Sequence, residues 1–134
     1  LRTYVTFERY RSDESIASLL VNTLLQMVGG DVCLSQEETA TLRSRLDRCK
    51  SLRMCLSLLL AWEHAAIIDD EAINSSPLGD IFHAIVASRT DMLVTIDGQL
   101  LRILRKIPRA ERCAALHWTD FVSILRGRPM PAGE

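Results

Sequence analysis

The chain has 134 residues, 48% hydrophobic and 25% charged, and its sixteen basic and seventeen acidic side chains give a formal net charge of −1. That length suits one domain burying about two-thirds of its unfolded surface, and the composition excludes wholesale disorder. A near-neutral chain has no global attraction to nucleic acid or anionic lipid, so either role needs a local patch.

Leu1 to Arg11 holds both tyrosines, with Tyr4, Phe7 and Tyr10 spaced to share one side of a short helix or of an arm lying on the rest. Ser12 or Asp13 suits a helix cap. Behind it Ile16, Leu19, Leu20, Leu24, Met27 and Val28 recur at three- and four-residue steps, predicting a helix that leaves through Gly29-Gly30. Ser35-Gln36-Glu37-Glu38 reads as a capping box, and from Gln36 to Ile68 nothing breaks helicity. An unbroken helix over that span would be about 50 Å long, against a radius of gyration near ~14 Å for a compact domain of this size. A break near Lys50-Ser51 is therefore favoured over surplus length packing on another chain.

Leu52 to Ile68 carries no Gly or Pro and only Arg53, Glu63 and His64 as chargeable residues. A helix so apolar around its circumference must be covered on most sides. At about 1.5 Å per residue it reaches roughly 25 Å, short of a ~30 Å hydrocarbon core, and its charges would lie inside, so no membrane span is expected. Asp69-Asp70-Glu71 opens a turn-rich connection through Asn74-Ser75-Ser76, and Pro77 suits the first position of a helix bearing Ile81, Phe82, Ile85 and Val86.

After a restart around Arg89-Thr90-Asp91, the residues Leu93, Ile96, Leu100, Ile103, Leu104 and Ile107 keep helical spacing as far as Pro108, with Gly98 a weak point of up to ~1 kcal/mol. A last helix runs from Ala110 through Cys113, Leu116, Trp118, Phe121 and Leu125 to Gly127. Strand signals are nearly absent. The expected fold is all-α, a bundle of five or six helices around a central apolar helix at 52–68. It forms one domain over 1–126, followed by a disordered tail or linker at 127–134.

No glycine-rich phosphate loop, Gly-x-Ser-x-Gly or Cys/His pair of metal spacing occurs, so no catalytic residue, metal or cofactor is expected and the chain reads as a non-enzyme. Cys33, Cys49, Cys55 and Cys113 form no CxxC and read as reduced thiols of an intracellular protein, cytoplasmic or nuclear. With neither Met nor a targeting pattern at its start, the chain reads as a domain excised from a larger protein. Glu63-His64 beside Asp69-Asp70-Glu71 reads as a polar edge of the core helix, not as a metal or acid-base site. Trp62 and Trp118 read as core, although a tryptophan exposed beside Phe121 would be an interface anchor.

The candidate partner-binding residues are two basic clusters: Arg43, Arg45, Arg48, Lys50 and Arg53, then Arg102, Arg105, Lys106, Arg109 and Arg112. Each also has a bland account, as the solvated reverse of a buried stripe or as cations favoured in a last helical turn. The functional expectation is a protein–protein interaction or assembly module, in which a groove takes a partner helix or the long helix mediates self-association. The alternative is a nucleic-acid-binding domain using both clusters.

Overall fold

The computed structural model describes residues 6–27, 33–46, 48–72 and 77–133. Among them the elements are α1 (Phe7–Arg11), α2 (Glu14–Met27), α3 (Gln36–Leu46), α4 (Lys50–Ile67), α5 (Pro77–Ala87), β1 (Met92–Thr95), α6 (Gly98–Lys106), β2 (Ala114–His117) and α7 (Trp118–Leu125), with a 3-10 turn at Arg109–Glu111. The fold is a helical bundle, and α4 is its centre: Met54, Leu58, Leu60, Ala61, Trp62 and Ala65 are all buried, with α1, α5 and α6 packed around them.

Local chemistry sets most helix starts. Asp13 Oδ1 accepts from the amides of Ser15 and Ile16 at 2.9 and 3.3 Å, which caps α2. At α3 both halves of the capping box form: the Glu38 amide donates to Ser35 Oγ at 3.3 Å and the Ser35 amide donates to Glu38 Oε2 at 2.9 Å. The helical stretch from Gln36 to Ile68 is indeed broken. Cys49 is extended (φ −101°, ψ 103°), α3 ends at Leu46 and α4 begins at Lys50. The break lets α3 turn back onto α2, where Ser18 Oγ meets Thr39 Oγ1 at 3.2 Å and the Asn22 side chain accepts from the Leu34 amide at 2.9 Å. At its far end α4 stops at a left-handed Asp70 (φ 56°), with the Glu71 amide donating back to the Ala65 carbonyl at 2.9 Å.

The last third departs from expectation. Met92–Thr95 and Ala114–His117 are strands, paired in parallel with Met92 opposite Ala114 and Thr95 opposite His117. A parallel pair needs a long crossover, and α6 supplies it. The helix expected across 90–107 therefore starts only at Gly98, capped by Asp97 Oδ1, which accepts from the amides of Gln99 and Leu100 at 2.8 and 3.0 Å. Gly98 is its first residue, so the interior weakness does not arise. The helix expected from Ala110 starts at Trp118, because Ala114, Ala115 and Leu116 are wholly buried in β2 beneath α6. Cys113 precedes that strand and is not helical. The Gly29-Gly30 exit and the 73–76 connection lie outside the described residues.

Candidate functional site

The ten basic residues singled out in the sequence differ in exposure and in what they bind. Arg45, Arg48, Lys50, Arg105 and Arg109 are exposed, whereas Arg43 and Arg53 are half-buried. Arg102 pairs with Glu71 at 2.6 Å, and Lys106 Nζ binds Asp69 Oδ2. Arg112 is buried: its Nε donates to the Ile107 carbonyl and its Nη1 to the Cys113 carbonyl, both at 3.1 Å, so it clamps the turn leading into β2. One pairing joins segments a hundred residues apart. Arg11, at the end of α1, donates to both oxygens of Glu111 at 2.8 and 2.7 Å.

His64 is buried on α4, edge-on to Phe7 and Tyr10 with ring centroids 5.7 and 5.3 Å away, and its Nδ1 lies 3.5 Å from Asp69 Oδ2. Burial and the Glu63 carboxylate push the Tyr10 phenol up to about 12, so it stays neutral. Burial likewise raises the Cys55 and Cys113 thiols, which keeps them protonated and poorly nucleophilic. Among the described residues no three His, Cys, Asp or Glu side chains are grouped to hold a metal ion.

The Lys106 bond to Asp69, the Arg102 bond to Glu71 and the Arg11 bond to Glu111 each hold the carboxyl below its ordinary range. A carboxyl whose folded pKa is depressed adds stability above its unfolded value near ~4 and loses it as pH falls through the folded value. The melting temperature should therefore be level from about pH 7 to 5 and fall below about pH 4. Glu111→Gln should lower the plateau and flatten the acid limb, checked by thermal melts across pH at low salt. An acid limb unchanged in this variant would count against the pairing.

An open groove of about 640 Å³ lies between α5, β1 and α7, lined by His83, Val86, Ala87, residues 92–96 and Trp118. A strand lying beneath a groove shows it alternate side chains, whereas here five consecutive residues line it, so the groove runs along the strand's edge. Among the described residues β1 pairs only with β2, which leaves that edge open. The rim is apolar. Ile96 is 79% exposed, Val86 67% and Trp118 52%, whereas Phe82, 68% exposed on the same helix as Val86, is not among the residues lining the groove. Trp118 is thus not a core residue; it leans on the half-buried Phe121 with ring centroids 5.9 Å apart.

Among the described residues no helix is long and apolar enough to cross a membrane. Comparison with protein-family models, with curated proteins and with solved structures finds no match to the chain.

Proposed function

We propose that the chain is a non-enzymatic protein-interaction module that takes an extended apolar segment of a partner protein along the open edge of β1, between α5 and α7. The observation carrying this reading is the coincidence of a strand edge unpaired among the described residues with exposed Val86, Ile96 and Trp118 around one groove. Strand addition draws affinity from main-chain hydrogen bonds and specificity from pockets for alternate side chains, and the groove offers both. Exposed apolar patches of this kind on a folded domain mark interaction sites. With α3 and α4 separate, self-association through one overlong helix loses its basis. The nucleic-acid reading is supported less, because Arg112 is buried and Arg102 and Lys106 are engaged by carboxylates, leaving fewer cations to neutralise phosphates.

Selection from a displayed random-peptide library should enrich apolar peptides that bind the wild-type chain. Trp118→Ala, at an exposed position, should weaken them about tenfold or more without unfolding the domain. Methylating alternate backbone nitrogens should abolish binding if the peptide adds as a strand and spare it if the peptide is held by side chains alone. Peptides indifferent to Trp118→Ala and Val86→Asp would place the binding surface elsewhere and sink the proposal.

A further inference from the structure

A second pocket, of about 290 Å³, lies where α1, α3, α4 and the 109–111 turn meet, and its polar lining is Arg11, Ser12, Arg43, Arg53, Ser57 and Glu111. Three guanidinium groups face one carboxylate, so the lining carries an excess of two positive charges. Their commitments differ. Both terminal nitrogens of Arg11 are taken by Glu111, and its Nε pairs with Glu8 at 3.2 Å. Arg43 donates one Nη2 bond, at 2.8 Å, to the Arg11 carbonyl, and Arg53 Nε is buried with no hydrogen-bond partner among the described residues. Neither Arg43 nor Arg53 makes an ion pair among the described residues.

The surroundings worsen this imbalance. The first turn of α4, which holds Arg53, contains no acidic residue, and Cys49 before it makes no side-chain cap. Cations at the positive end of a helix dipole are unfavourable unless an anion joins them. A buried guanidinium donor without an acceptor is also destabilising, and an oxyanion supplies several acceptors at once.

We propose that this pocket binds a small phosphate-class dianion, inorganic phosphate or a phosphate monoester, held by Arg43 and Arg53 with the Ser57 hydroxyl as a further donor. Phosphate fits forked donors because each guanidinium presents paired N–H groups to two of its oxygens. Leu56 and Leu60 supply an apolar wall for the carbon part of a monoester. Glu111 acts in opposition: it occupies Arg11 and repels the ligand, so its loss should tighten binding.

The test titrates the whole chain with inorganic phosphate, and separately with glycerol phosphate, against potassium chloride of equal ionic strength, following the melting temperature and the phosphorus NMR linewidth. The expected result is a saturable phosphate effect absent in chloride, weakened about tenfold or more in Arg43→Gln/Arg53→Gln and strengthened several-fold in Glu111→Gln, with folding checked by circular dichroism. Tighter binding of glycerol phosphate assigns the pocket to a monoester; equal binding assigns it to inorganic phosphate. A phosphate response matching that in chloride, or one that survives in the folded double variant, overturns the proposal. Should the double variant not fold, the wild-type comparison with chloride and the opposite sign in Glu111→Gln still decide it.

Discussion

Leu58→Ala should lower the unfolding free energy by about 3 kcal/mol, near the middle of the range for a fully buried leucine, and depress the melting temperature by roughly 10 °C. Leu58 has no exposed surface and sits midway along α4, where α1, α5 and α6 converge, so the methyl groups removed leave a cavity that several elements would have to shift to fill. The control is the same substitution on the same helix. Leu52 is 47% exposed, and Leu52→Ala should cost well under 1 kcal/mol, since little surface returns to water and no cavity forms. Denaturant melts of the two variants read this difference directly. Equal losses would mean that α4 is not enclosed as described, and the architecture would have to be redrawn.

The enclosed helix was legible because its signal is local. Seventeen residues without a breaker, a capping box four residues wide and the mismatch between a helix of about 50 Å and a small domain can each be judged from the sequence alone. The strands could not be found that way. Leu93, Ile96 and Leu100 satisfy helical spacing as well as they line a strand and the start of a helix, and β2 is a strand because Ala114 to His117 meet residues 22 positions earlier. Pairing at that distance overrides the helical preference of two alanines. The charged clusters were visible as charge, but their partners were not: Glu71 lies 31 residues from Arg102, and only the fold brings them together.

The groove did leave a trace in the sequence. In α5 the residues Ile81, Phe82, Ala84, Ile85, Val86 and Ala87 are apolar on more than one side, and a helix of that kind needs cover on more than one side. α4 covers Ile81 and Ala84, while Phe82 and Val86 have no comparable cover. The spacing of Ile81, Phe82, Ile85 and Val86 does not by itself tell the covered residues from the exposed ones.

Arg112→Met should cost about 2–3 kcal/mol although it places an apolar side chain of similar length in a buried position. The Arg112 guanidinium bridges two carbonyls, Ile107 and Cys113, and the Arg109 guanidinium in turn donates to the carbonyl of Arg112 at 2.8 Å. Methionine fills the space but leaves those carbonyls without this donor, and an unpaired buried acceptor is more damaging than a lost bond in solvent. Arg112→Lys should fall almost as far, because a single ammonium on a flexible stem cannot span both oxygens as the planar fork does. The damage should be regional: amide hydrogen exchange should quicken at Ala114 to His117 and at Met92 to Thr95, which pair with them, while α2 and α3 on the far side stay protected. Because the β1 edge is the floor of the proposed peptide groove, loosening the turn at 107–113 should also weaken peptide binding without touching any groove residue. If Arg112→Lys retains wild-type stability, charge alone suffices there, and β2 is held by the burial of Ala114, Ala115 and Leu116 instead of by the carbonyl bridge.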